Sequence, residues 1–400
     1  MLTQQTPSPA QSKPVRAAVI GVGNIGSAHA ACIYSGQVEG MVLSALCDSS
    51  PAVKEMALEQ YPDVPFYTDV EQLLASDVDV VVVAVPHPMH ADVSIRAFEK
   101  GKHVLVEKPL DITLTKGKAL AEAAERSGKC FGIMFNQRTG NLFQKAKEIV
   151  ESGQLGQLKR SVWVITNWYR SQSYYDSGSW RATWAGEGGG VLMNQCPHQL
   201  DLWQWICGMP EQVTAFCDEA KFHRIEVEDN ATVLVKFPGG GDGAFITSTG
   251  EFPGTNRLEI VGDRGKMVLE EGKVKLWRLQ ESTEAVSASS RDNMPTIVYT
   301  FEEFTPDCPD KAHCGIIENF VSAVLYQTPL LADGREGIHQ LMLTNAAYLS
   351  AWQDKTVTLP IDGAEFDRYH TEKRNGEGEK SQGAASSGGG DGLPRWQVNW

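Results

Sequence analysis

The 400-residue chain contains no run approaching the roughly 20 apolar residues that span a bilayer. It has no CxxC pair and no regular cysteine spacing, which argues against zinc ribbons and small disulfide scaffolds. Neither a nucleophile elbow nor a phosphate P-loop is present, so neither α/β-hydrolase acyl transfer nor P-loop nucleotide hydrolysis is expected. Basic residues are not in excess: the formal charge is −14, the wrong sign for nucleic acid or an anionic membrane surface. Residues 1–14 are polar and rich in Pro, Ser and Gln, without the apolar core of an export signal. A cytoplasmic protein is expected. Its eight cysteines (32, 47, 130, 196, 207, 217, 308 and 314) are expected to be free thiols, and no metal site is expected even where His313 adjoins Cys314.

Length and composition suit two domains, with 42% hydrophobic residues to fill their cores. From Val15 to Asn136, short β-rich runs alternate with helical patterns, the mark of βαβ units on a parallel sheet. Strands are expected at 16–20, 41–47, 78–85, 103–106 and 131–135, with helices at 24–35, 89–100 and 113–127. Residues 137–365 change character, to short strands separated by Gly, Pro and Asp and flanked by helices at 142–151, 193–207, 313–326 and 337–352. The expected fold is an α/β Rossmann domain followed by an α+β domain with a mainly antiparallel, open-faced sheet. Residues 366–392 read as a flexible linker, and 393–400, with Trp396 and Trp400, as an aromatic tip that docks on its own domain or a neighbouring subunit.

Gly21-x-Gly23-Asn24-Ile25-Gly26 follows an apolar strand and opens a helix. Gly21 allows the tight turn, Gly23 lets the backbone approach a pyrophosphate, and Gly26 lets helix and strand pack closely. Free N–H groups at the helix start receive the phosphates. Asp48 ends the second strand and is placed to accept both ribose hydroxyls. With Ser49 and Ser50 after it instead of arginine, NAD is favoured over NADP.

Pro86, His87 and His90 follow the most apolar strand, and Glu107-Lys108-Pro109 closes the next. Ligands of open α/β sheets sit beyond the carboxyl ends of the strands, so these residues and Asn136 should converge on the cofactor crevice. Farther along, Gly188-Gly189-Gly190 leads into a predicted helix carrying Asn194, His198 and Asp201 on one face. An imidazole titrates near working pH and can abstract a hydroxyl proton, and an amide can hold a sugar hydroxyl without adding charge.

These motifs, in this order over about residues 15 to 360, resemble the Gfo/Idh/MocA oxidoreductases. The resemblance implies NAD-dependent oxidation of sugars, polyols or their derivatives, homo-oligomerisation through the second sheet, and Lys108 with His198 as the catalytic pair. Which of the two is the base stays open. Family members usually carry aspartate where this chain has Asn194, so Lys108 is expected to be more readily neutral here. The segment from Asn167 to Trp184 resembles a subgroup oxidising ring hydroxyls of glycosides, with the 3-position of a glucoside as the expected target. Its aromatic rings suit the C–H faces of sugars, with Tyr175, Trp180 and Arg181 as the expected substrate contacts beside Lys108, Asn194 and His198. Two rival readings share these motifs: a glycoside-cleaving enzyme using NAD transiently, and a non-catalytic NAD- or sugar-sensing regulator.

Overall fold

The computed structural model describes residues 13–376. The first domain alternates β1 (Val15–Ile20), α1 (Asn24–Tyr34), β2 (Met41–Cys47), α2 (Pro51–Gln60), β3 (Phe66–Tyr67) and α3 (Val70–Leu74). It continues through β4 (Val80–Val83), α4 (His90–Glu99), β5 (His103–Val106), α5 (Leu114–Ser127) and β6 (Phe131–Ile133). The six strands are all parallel, in the order β3-β2-β1-β4-β5-β6. All four valines of β4 are wholly buried, as a central strand covered on both faces requires. The strand order reverses between β1 and β4, and the crevice outside their carboxyl ends is where such a sheet takes its ligand.

The second domain begins with α6 (Asn141–Glu151), β7 (Leu158–Ile165), α7 (Gln172–Tyr175) and α8 (Pro197–Cys207). Six strands follow, as two antiparallel meanders on either side of β7: β8 (Gln212–Glu219), β9 (Glu228–Lys236) and β10 (Asp242–Ser248), then β11 (Asn256–Gly262), β12 (Gly265–Glu270) and β13 (Lys273–Leu279). Then come α9 (Thr283–Ser289), β14 (Tyr299–Phe304), α10 (Ala312–Tyr326), α11 (Gly337–Gln353), β15 (Val357–Thr358) and α12 (Gly363–Asn375). The nine strands form one sheet, antiparallel except where β10 pairs with β7. Its buried face packs under α6, α8 and α11 around Trp163, Trp203 and Phe245.

The linker and the cysteines differ from the sequence reading. The expected linker starts as helix: Asp362 caps α12 by accepting from the Ala364 N–H at 2.9 Å. Phe366 and His370, one turn apart, bury themselves, and Phe366 stacks on Trp352. Apolar contacts at helical spacing outweigh the charged composition of the segment. The rest of the linker and the aromatic tip lie outside the described residues. The cysteines are not all free. Cys32 on α1 and Cys314 on α10 form a disulfide across 282 residues of sequence, and the other six are thiols. No spacing rule brings two such distant residues together; only packing of α10 against α1 does.

Candidate active site

The glycine turn is built as its chemistry requires. Gly21 lies at φ +87°, where a Cβ would stand 2.5 Å from the Ala84 carbonyl oxygen. At Gly26 a Cβ would overlap the Gly21 carbonyl, so close approach of helix and strand demands glycine there. A Cβ on Gly23 would meet nothing within 4 Å and would project into the space where a pyrophosphate approaches. The start of α1 has no side-chain cap and no acidic residue in its first turn, leaving its N–H groups and positive end available. Asn24 and Ile25 are exposed beside them. The Asp48 carboxylate is pinned to the turn, accepting from Val22 N at 2.8 Å and from Ser50 N at 2.9 Å. These residues fit a dinucleotide: the start of α1 would hold its phosphates and Asp48 would hold a ribose.

The other strand ends complete the crevice. Pro86 leads into a single 3-10 turn, His87–Met89, in which the buried His87 donates through Nδ1 to the Glu187 carbonyl at 3.0 Å. Burial chiefly, with the neighbouring His90 and Lys108, brings the His87 pKa down to about 3, so its ring is neutral. His90, expected at the cofactor crevice, is buried with both ring nitrogens turned to the protein backbone. Its Nδ1 faces the Pro109 carbonyl at 2.6 Å and its Nε2 the Val85 carbonyl at 2.8 Å, so whichever nitrogen carries the proton donates to a strand-end carbonyl. Asn136, in the turn after β6, is buried with no hydrogen-bond partner for its Oδ1.

Glu107 accepts from the buried His29 ring, Nε2 to Oε1 at 2.7 Å, and from the Lys108 N–H at 3.1 Å. Burial alone would raise this carboxyl; the His29 bond and the charges of His29, His313 and Lys108 outweigh it and bring the pKa to about 2. Lys108 is half-buried, and its Nζ donates to the Asn194 carbonyl at 3.0 Å. Burial lowers its pKa, opposed by Glu107 and Glu187. The His198 pKa is pushed well below its usual range by burial and by Lys108, and its Nδ1 has no partner.

The helix expected over 193–207 is broken. Val191–Gln195 forms a single π-turn, and α8 starts afresh at Pro197, which has no N–H to continue a ladder. Asn194 and His198 therefore sit on two separate elements instead of one helical face. Asp201 does not serve His198 either: both its oxygens bind Arg138, at 2.8 and 2.7 Å. The π-turn is held from below by the buried Glu228, which accepts from Gly190 N and Leu192 N at 2.9 Å and from the Tyr348 hydroxyl at 2.7 Å.

Tyr175 is also corrected. It is buried, with its hydroxyl spent on Thr249 Oγ1 at 2.8 Å. Its neighbour Tyr174 reaches the site, its hydroxyl accepting from Arg181 Nη1 at 3.0 Å, Gln195 Nε2 at 3.3 Å and Asn194 Nδ2 at 3.4 Å. The Arg181 guanidinium lies over the rings of Trp180 and Tyr174, 4.5 and 4.7 Å from their centroids. Trp180 remains exposed, whereas Trp163 and Trp184 are core.

Glu187 was missed by sequence reasoning although it directly precedes Gly188. It is buried, accepts from Ala182 N at 2.7 Å and from Asn194 Nδ2, and lies 3.7 Å from Arg181. Burial raises its pKa to about 7. A carboxylate beside a glycine run was the available signal. His29, whose only sequence cue is its place on α1, was missed as well. Among the described residues no group of three or more His, Cys, Asp or Glu is arranged to hold a metal, and no helix is long and apolar enough to cross a membrane.

Comparison with known proteins identifies both domains. Residues 15–135 match the model of an oxidoreductase family with an NAD-binding Rossmann fold, and residues 143–268 match the GFO/IDH/MocA C-terminal domain. The WlbA dehydrogenase of Chromobacterium violaceum, solved with NADH and UDP-GlcNAcA, superposes with a TM-score of 0.75 at 27% identity, over 88% of this chain and 98% of that one. Myo-inositol 2-dehydrogenase of Thermotoga maritima is 26% identical over 353 residues, 86% of this chain and 98% of that protein. Glycosyl hydrolase family 109 protein 1 of Shewanella sp. (strain ANA-3) is 31% identical over 191 residues, 44% of this chain and 41% of that protein.

Proposed function

Because the chain belongs to the Gfo/Idh/MocA family of oxidoreductases, we propose that it oxidises a ring hydroxyl of a sugar, glycoside or cyclic polyol to a ketone, at the 3-position where the substrate is a glucoside. The observation that carries this reading is the Lys108 Nζ hydrogen bond to Asn194 O, which joins a strand end of the cofactor sheet to the glycine-rich turn of the second domain. NAD, when bound, supplies a hydride acceptor for the carbinol carbon. Lys108 takes the hydroxyl proton, its ammonium disfavoured by burial so that the neutral amine is accessible. His198, a neutral ring with an open Nδ1, orients that hydroxyl. Asn194, Arg181 and Trp180 grip the ring, with Tyr174 in the place first expected of Tyr175.

Asp48 supports NAD over NADP. Its carboxylate is held at the ribose end of the cradle and would repel a 2′-phosphate. Exposed apolar residues of the second sheet, Phe216, Leu234 and Phe301, support a homo-oligomer built on that sheet.

The test is absorbance of reduced nicotinamide with purified enzyme, NAD and a panel of free sugars, inositols and glucosides. A rise with one class identifies the substrate, and silence from every class while NAD binds overturns the dehydrogenase reading. The similarity to glycosyl hydrolase family 109 protein 1 favours a second reading, cleavage of a glycoside with transient use of NAD. Release of nitrophenol from nitrophenyl glycosides with no net reduced nicotinamide separates the two.

A further inference from the structure

Asparagine at position 194 suggested a lysine without a carboxylate neighbour, yet the site contains one. Glu187 reaches it from seven residues earlier in the chain. One of its oxygens accepts from Ala182 N, in a turn where Ala182 lies at φ +51°. The other accepts from the Asn194 amide, and the carbonyl of that same Asn194 holds the Lys108 ammonium. Asn194 thus bridges a buried carboxylate and a lysine.

We propose that Glu187 is the positioning residue that provides, through Asn194, the carboxylate this chain lacks at position 194 and thereby sets the charge of Lys108. The inference rests on the reading of Lys108 as the group that takes the substrate proton. A purely structural Glu187 would need only the Ala182 contact; the oxygen aimed at Asn194 and the proximity of Arg181 point into the site instead.

The charge balance around the pair is defined. Lys108 faces Glu107 from its own strand end, Glu187, Arg181 and Cys196 from the second domain, and the rings of His87 and His198. His90 and His313 also feel Lys108, and burial lowers the pKa of each. Of the charged neighbours the two glutamates favour the ammonium, beside the Asn194 carbonyl that accepts from it, while burial holds the Cys196 thiol up at about 12, uncharged. Removing Glu187 therefore removes one of two carboxylates that stabilise the lysine charge. Arg181 would then act on Lys108 without the carboxylate that partly offsets it.

The experiment reads Lys108 directly. The NAD-bound protein is acetylated with acetic anhydride at a series of pH values, and the modified Lys108 peptide is quantified by mass spectrometry. In Glu187→Gln the midpoint of Lys108 reactivity should fall by about one pH unit. The double variant Glu187→Gln/Asn194→Asp, which returns a carboxylate to the neighbouring position, should restore it. An unmoved midpoint in Glu187→Gln overturns the proposal. If Glu187→Gln does not fold, Asn194→Asp with Glu187 intact is the second variant: its midpoint must rise, and no rise overturns the proposal equally. Labelling does not depend on turnover, so a shifted midpoint alongside full activity of Lys108→Met would overturn the proton-accepting reading of Lys108 and leave the Glu187 coupling standing.

Discussion

Lys108 Nζ stands 3.0 Å from the carbonyl oxygen of Asn194, a main-chain atom of the other domain. The reactive end of the lysine is thus placed by a backbone turn, and that turn is in turn placed by Glu228 beneath it and Glu187 beside it. The site is assembled by two buried carboxylates that do not touch the cofactor cradle.

Replacing Lys108 by methionine should cut turnover by about 10²–10⁴-fold, the usual contribution of a positioned general base. NAD affinity, read by quenching of protein fluorescence, should stay at the wild-type level because the cradle lies on α1 and β2. Retained turnover would remove the lysine from the chemistry.

Gly23 and Gly26 should respond differently to alanine. Gly23→Ala adds a methyl into open space, so the melting temperature should hold while the Kd for NAD rises at least tenfold, about 1.4 kcal/mol. Gly26→Ala meets the Gly21 carbonyl and should lower the melting temperature itself. Equal melting temperatures for the two variants would contradict the geometry.

The buried Glu228 has its pKa raised to about 7, with burial as the main cause. A carboxyl whose folded value lies above its unfolded one favours the folded state fully at pH values below the unfolded pKa, and that contribution is lost as pH rises through about 7. Glu228→Gln does not titrate. Urea midpoints measured at pH 5 and pH 8 should therefore show the wild type losing stability relative to the variant at the higher pH; a constant difference would show that Glu228 is not proton-linked.

Thiol titration of the denatured protein should find six reactive groups without reductant and eight after reduction. Eight in both cases would mean that Cys32 and Cys314 are not bonded.

Much of this was legible in the chain. A glycine turn after a strand, an all-valine core strand and a lysine before proline at a strand end each follow from local chemistry, so β1, α1, β4 and Lys108 could be placed from sequence. What was illegible depends on contacts between distant segments. Tyr174 and Tyr175 are indistinguishable by type, and only the position of Thr249 decides which hydroxyl is free to face the site. The break at Pro197 could have been read from its missing N–H, but the π-turn before it depends on Glu228, 36 residues beyond the Leu192 N–H it accepts from. The helix at Gly363–Asn375 was hidden because its composition is charged; Phe366 and Tyr369 stacked on Trp352, and His370 against Trp184, supply the reason it forms.

The bond between Cys32 and Cys314 closes the polypeptide into a ring that runs through both domains, with the two ends of the chain as tails. In terms of covalent topology, a single cut anywhere between those two residues opens the ring but releases no fragment, whereas a cut in either tail does. A protease nick in the crossover between the sheets would thus leave one molecule of unchanged mass apart from an added water, with α1 still tethered to α10.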